Sequence, residues 1–194
     1  IIDTHTHFYD PSRPQGIPWP PEDNELLYRT VLPEHHRNLS GSEGVTGTVV
    51  VEASAWLDDN QWILDIAADD PWIVGLVGHV DPNRAEFGGD IERFSVNPLF
   101  RGIRVGGGAF QDIDAGSFMS DMELLAKKGL QLDVLMNTDH WEGLCELAKR
   151  LPDLPIVINH IALVPVDGNS PDPHWVECMN RAGEFTLVYM KGSG

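Results

Sequence analysis

The sequence predicts an α/β fold of the TIM-barrel type, a (β/α) barrel truncated after about seven strands. Three observations predict it. Short apolar runs alternate strictly with longer amphipathic ones, which calls for a parallel sheet with helices outside it. The apolar runs are nearly unbroken, as strands covered on both faces require. Polar residues gather at the ends of many different runs, which suits a barrel whose C-terminal mouth collects a side chain from every strand. An open, doubly wound sheet is the competing architecture. No G-x-G-x-x-G follows the first strand, however, and Gly106-Gly107-Gly108 after the fourth lacks dinucleotide-binding spacing.

In chain order, strands are predicted at 1–5, at 48–53 (TVVVEA), at 72–79 (WIVGLVGH) and at 100–105 (FRGIRV). Three more follow at 130–136 (LQLDVLM), 156–160 (IVINH) and 185–190 (FTLVYM). Helical periodicity marks 57–69, 118–128 with Gly129 as a stop, 141–151 ended by Pro152, and 173–182 closed by Gly183. A weaker helix is predicted over 32–44. The stretch from Phe8 to Pro33 holds Pro11, Pro14, Pro18, Pro20 and Pro21 together with Trp19 and Tyr28. Its prolines forbid a helix at its start, and it reads as a loop folded over the barrel mouth.

A length of 194 residues fits one domain, 1–194, with a real core. Against 30 Asp and Glu stand 13 Lys and Arg, a formal charge of −17. That balance argues against nucleic acid and against an anionic membrane surface as partners. Any site for an acid must therefore rely on local positive groups, and a small-molecule substrate is the expected partner. A homo-oligomer is compatible with the sequence. Cys145 and Cys178 form no CxxC pair and read as buried free thiols. No run reaches membrane-span length and no signal peptide is visible. A cytoplasmic location is expected, although a chain that begins at Ile1 rather than Met is also compatible with an exported precursor.

The sharpest chemical signal is Asp3-Thr4-His5-Thr6-His7. On a regular strand alternate side chains share a face, roughly 6.5–7 Å apart, so Asp3, His5 and His7 are expected to point the same way. Two imidazoles converging from one strand end can bind a divalent metal at about 2.0–2.1 Å each, or they can polarise a carbonyl. His160 ends the IVINH run and His79 ends WIVGLVGH, both at the expected barrel top. Glu52 lies within VVVEAS, where a buried carboxylate needs a cation, a metal or a capping role. Arg104 in FRGIRV offers a planar fork either to a substrate carboxylate or to Glu52. Asp133 is expected to pair with Arg104. His35, His36, His140 and His174 are expected at the surface.

Taken together, IIDTHTHFYDP, VEAS, AWLDDNQW, GHVDP, RGIRVG and VINH resemble the amidohydrolase-2 family of the metal-dependent hydrolase superfamily. More narrowly they resemble its branch of 2-pyrone-4,6-dicarboxylate lactonases and sugar lactonases. The resemblance implies a (β/α)8 barrel and water attack on the C–O ester bond of a lactone. It matches His5 and His7 to the strand-one pair and His160 to the strand-six histidine, and Arg104, less securely, to the strand-four arginine. These three histidines often hold zinc or a similar ion in the superfamily, while several lactonases of the branch work without a tightly bound metal. The family's catalytic Asp at the end of strand eight has no counterpart up to Gly194, so further sequence is expected. Two alternatives stand beside the lactonase: a zinc-dependent decarboxylase of an aromatic acid and a non-catalytic ligand-binding barrel.

Overall fold

The structure, a computed structural model, describes residues 1–193. It comprises two compact units, Ile1–Val80 with Arg93–Arg101, and Asp81–Glu92 with Gly102 onward. Within each unit the strands are parallel and follow sequence order.

In the first unit β1 (Ile2–Thr6), β2 (Gly47–Val51) and β3 (Ile73–Gly78) pair side by side. The β-branched run of β2 and the apolar run of β3 bury Val50, Val51, Leu76 and Val77, each such side chain contributing about 1.5–3 kcal/mol by leaving water. After β1 come α1 (Pro33–Ser40), started by its proline, and a 3-10 turn at Gly41–Glu43, so the predicted helix over 32–44 is cut short at Ser40. Between β2 and β3 lies α2 (Leu57–Asp69), which buries Ile63, Leu64 and Ala67 at helical spacing. It also buries Asn60, whose amide contacts leave no room for a side chain at Gly78.

A register irregularity in β1 matters for the site. Asp3 lies opposite Thr48 and Thr6 opposite Val50, so three steps on β1 span two on β2. An extra residue of this kind reverses the in–out alternation. The carboxylate of Asp3 accepts the N–H of His5 at 3.0 Å, a local bond that competes with the strand ladder.

A further helix, α3 (Phe87–Ser95), has no counterpart in the sequence prediction. Phe87, Ile91 and Phe94 are all buried, an i, i+4, i+7 stripe. Gly88 and Gly89, poor helix formers, mask it in the sequence.

The second unit carries β4 (Phe100–Gly106) from Gly102 onward, β5 (Gln131–Leu135), β6 (Ile156–Ile158) and β7 (Val188–Met190), in regular register. One face buries Ile103, Val105, Leu132, Val134, Ile156 and Ile158. The helices α4 (Phe118–Lys128) and α5 (Trp141–Arg150) bury Met122, Leu125, Leu144 and Leu147. Gly129, at φ 67°, ends α4 in the left-handed conformation that glycine adopts without penalty. The helix α6 (Pro173–Ala182) begins on the carboxylate of Asp172, which accepts the N–H of His174 at 2.7 Å. Both cysteines are free and buried, as expected. Parallel strands alternating with helices, seven in the described residues, are the pattern of a (β/α)8 barrel over seven of its strands.

Candidate active site

The irregular register of β1 divides the Asp3, His5, His7 trio that the sequence placed on one face. Asp3 turns to α1, where its carboxylate meets Nε2 of His36 at 3.2 Å. His5 and His7 instead bring their rings together, with centroids 5.0 Å apart and planes at 76°. Both ring nitrogens of His5 are buried. Nδ1 of His7 lies 3.0 Å from the Val51 carbonyl oxygen. A carbonyl only accepts, so Nδ1 carries a proton, and the neutral form of the ring is then the tautomer with its lone pair on Nε2. This is the arrangement by which a backbone carbonyl fixes the tautomer of a histidine that binds a metal or a proton.

The proline-rich segment is a loop, as expected, and it is fastened at several points. Tyr9 and Val31 exchange backbone hydrogen bonds of 3.0 and 2.9 Å, and the Tyr9 hydroxyl donates to Leu27 at 3.1 Å. Asp10 accepts from the hydroxyls of Ser12 and Thr30. These bonds, with the Ser12 hydroxyl foremost, hold its carboxyl below the usual range. Arg13 pairs with Asp59 at the start of α2 at 2.6 Å and stacks 4.3 Å above the Trp62 ring. Thus anchored, the loop sets Trp19 edge-on to His7 at 5.4 Å and to Tyr9 at 5.5 Å. Trp19 and Glu52, with Tyr9 and Asn60, line a narrow cavity of ≈ 20 Å³, room for about one water.

His79 follows β3 and is held through its backbone. The side chain of buried Asn60 donates to the His79 carbonyl at 2.7 Å and accepts the His79 N–H at 2.9 Å. Nothing in the pattern of α2 singled out Asn60, apart from its being a polar residue on the helix's apolar side. His36 corrects a second expectation. It is half-buried rather than fully superficial, and Trp72 and Asp3 occupy its two ring nitrogens.

In the second unit Arg104 on β4 lies opposite Asp133 on β5. Fully buried Asp133 binds Lys191 at 2.7 Å, a partner the sequence did not suggest, and also accepts from Asn159 at 2.9 Å and Gln131 at 2.6 Å. The register accounts for this. Val157 and Tyr189 continue the Arg104–Asp133 row, so Asn159 and Lys191, two residues further on, share its face. Three donors satisfy the carboxylate.

His160 follows β6 and opens an unusual turn. His160, Ile161, Ala162 and Leu163 have φ of 51°, 46°, 54° and 54°. Four consecutive non-glycine residues are left-handed, at roughly 1–2 kcal/mol each. Strain of this kind persists where surrounding bonds over-determine it, and it concentrates at functional sites. Nδ1 of His160 lies 3.1 Å from the Ser193 hydroxyl. Burial holds His160 below its ordinary 6.5, and the nearby charges of Arg104 and Lys191 act in the same direction, against an opposing effect of Ser193. The imidazole is therefore neutral at pH 7.

Among the described residues no group of three or more His, Cys, Asp or Glu side chains is arranged to hold a metal ion. The His5–His7 pair, with its tautomer fixed at His7, has the chemistry of two metal ligands and closes no site by itself. No helix among the described residues is long and apolar enough to cross a membrane.

Comparison with known proteins agrees with this picture. The L-fucono-1,5-lactonase of Burkholderia ambifaria is 30% identical over 199 residues, covering 100% of this chain and 67% of the relative. A crystal structure of an amidohydrolase from Burkholderia multivorans with bound zinc superposes with a TM-score of 0.85 at 21% identity, over 100% of this chain and 69% of that one. A probable 2-pyrone-4,6-dicarboxylic acid hydrolase from Acinetobacter baumannii, with citric acid bound, gives a TM-score of 0.76 at 17% identity, over 100% and 70%. The amidohydrolase family model matches residues 2–194, and the chain belongs to the amidohydrolase family.

Proposed function

We propose that the protein is a lactone hydrolase, cleaving the C–O ester bond of a sugar-acid or dicarboxylate lactone with water. The observation that carries the reading is the fixed tautomer of His7. With Nδ1–H committed to the Val51 carbonyl, the neutral form of the ring is the tautomer with the basic nitrogen at Nε2, and the ring lies edge-on to that of His5. A neutral ring so arranged cannot donate to a lactone carbonyl through Nε2. It can take a proton from attacking water or ligate a cation. Family membership and the 30% identical L-fucono-1,5-lactonase support the same chemistry.

In this reading His5, His7 and His160 are the histidines that serve lactone hydrolysis. Water attacks the lactone carbonyl carbon, the ring C–O bond breaks, and the ring oxygen leaves with a proton as a hydroxyl. His7 Nε2 accepts the proton of the attacking water. Burial holds the His160 pKa below its ordinary value, which favours the neutral imidazole for acid–base work. Arg104 supplies the local positive charge that an acidic surface otherwise denies to a substrate bearing a carboxylate or polarised oxygen. Glu52 and His79 are further candidates of the first unit. A divalent metal, zinc foremost, would take His5 and His7 as ligands in place of the proton transfer at His7, and when bound it supplies Lewis-acid polarisation and a more acidic water.

The test is turnover on a panel of aldonolactones and pyrone dicarboxylates, followed by acid release. His5→Ala and His160→Ala should each lower kcat/KM by about a thousandfold or more. Wild-type turnover in either variant, or carbon dioxide release from aromatic acids without lactone hydrolysis, would overturn the reading.

A further inference from the structure

The left-handed turn at His160 requires an explanation that its own sequence does not supply. None of His160, Ile161, Ala162 and Leu163 is glycine, and β-branched Ile161 is among the residues least tolerant of positive φ. Bonds from outside must hold the turn. Three backbone bonds contribute: Ile161 N–H to the Lys191 carbonyl at 3.0 Å, Ala162 N–H to the Asn159 carbonyl at 3.1 Å, and a long Val164 N–H to Ile161 contact of 3.5 Å. The remaining bond comes from a side chain on another element. The indole N–H of Trp175, on the first turn of α6, donates to the Ile161 carbonyl at 2.8 Å. It is shorter than the turn's own bond to that carbonyl, and it fixes the peptide that follows His160 by one residue.

We propose that Trp175 is a positioning residue for His160: its indole N–H clamps the Ile161 carbonyl, keeps the turn left-handed, and so sets where the His160 ring lies. The inference rests on the reading that His160 handles the lactone. It adds a residue that the sequence gave no reason to single out, since Trp175 falls on the apolar side of an ordinary amphipathic helix. A tryptophan needed only for packing could be replaced by another large ring. A clamp needs the N–H. Because the turn is strained, loss of the clamp should let the backbone relax toward right-handed or extended geometry and carry the imidazole with it.

The test uses the whole protein with Trp175→Phe, which keeps the bulk and removes the donor. A displacement of about 1 Å in a reacting group can cost about a hundredfold in rate. The expected result is therefore a fall in kcat of about 10- to 100-fold with KM within about threefold. In a histidine-selective nitrogen-15 spectrum the His160 ring signals should move while those of His5 and His7 stay. Ile161→Gly, which adopts the left-handed conformation without penalty, should restore part of the lost kcat in the Trp175→Phe background. Unchanged kcat with an unmoved His160 signal, a change in KM alone, or no recovery with glycine overturns the proposal. If Trp175→Phe does not fold, hydrogen exchange of the Trp175 indole in the unmodified protein decides, with protection expected and free-indole exchange overturning the clamp. Full turnover in His160→Ala would instead refute the role of His160 in lactone hydrolysis, and the His160 spectrum would still report on Trp175.

Discussion

The indole N–H of Trp72, at the threshold of β3, donates to Nδ1 of His36 on α1 at 2.9 Å, while Nε2 of the same ring meets Asp3 of β1 at 3.2 Å. An indole can only donate, so His36 accepts at Nδ1 and carries its proton on the side of Asp3. One imidazole thus ties a helix to two strands of the first unit. Replacing it by a ring of similar size but no nitrogen, His36→Phe, leaves the Trp72 donor unmatched and takes from Asp3 the partner of one carboxylate oxygen. The expected cost is about 1–3 kcal/mol, read as a lower urea midpoint. Stability within about 0.5 kcal/mol of the parent would show that the network contributes nothing.

His160 predicts a pH dependence of definite sign. Burial, reinforced by Arg104 and Lys191, holds its pKa below 6.5 in the folded protein. Between the folded value and 6.5 the unfolded chain binds a proton that the folded chain refuses, so stability rises with pH over that window. The contribution is complete above 6.5 and is lost as pH falls. The unfolding free energy of the parent should therefore drop more between about pH 7.5 and pH 5.5 than that of His160→Asn. Arg104→Met, by removing a positive neighbour, should raise the folded pKa toward 6.5 and shrink the difference. Identical slopes in all three proteins would contradict the sign.

Asp133 and Lys191 form the buried ion pair of the second unit, with side-chain exposures of 0% and 9%. Removing one partner strands the other. Lys191→Met should cost about 3–5 kcal/mol, because Asp133 then sits buried with amide donors only. Lys191→Met combined with Asp133→Leu should recover much of that loss, since apolar replacement of a buried pair is often neutral. Thermal unfolding of the three variants measures the effect, and a double variant no more stable than the single one would argue against a pairwise origin.

How much of this was legible in the sequence differs by element. The runs TVVV and WIVGLVG predict β2 and β3 because unbroken apolarity survives any local detail. The helix over 173–182 is marked at both ends, by Asp172-Pro173 and Gly183, and is found where expected. Alternation at β1 is another matter. Its period of two assumes an unbroken ladder, and the Asp3 carboxylate that captures the His5 N–H shifts the register. Asp133 likewise offered the sequence a partner one strand away, whereas the partner used lies two strands from it, in a residue just beyond β7. The left-handed turn at His160 has no glycine to announce it. Its determinants are a distant donor, the Trp175 indole, and a distant acceptor, the Lys191 carbonyl, and these are visible only in three dimensions.

Trp19 gives a prediction about substrate choice. The loop that carries it is anchored by the Arg13–Asp59 pair, whose side chains are only 13% and 15% exposed, and by Arg13 over Trp62. The indole reaches His7 at 5.4 Å yet remains 40% exposed. On the proposed role of His7, a half-exposed aromatic edge beside that imidazole offers an apolar surface to the non-hydroxylated face of a sugar ring, an interaction of about 0.5–1.5 kcal/mol for ring contacts. Trp19→Ala should therefore raise KM for a deoxy-sugar lactone by about 2- to 10-fold, with a smaller effect on its fully hydroxylated analogue. Arg13→Ala, which frees the loop without touching the indole, should reproduce part of the effect on KM. Both rest on the placement of Trp19 against His7, and equal losses on the two lactones would mean that the indole serves only to pack the loop.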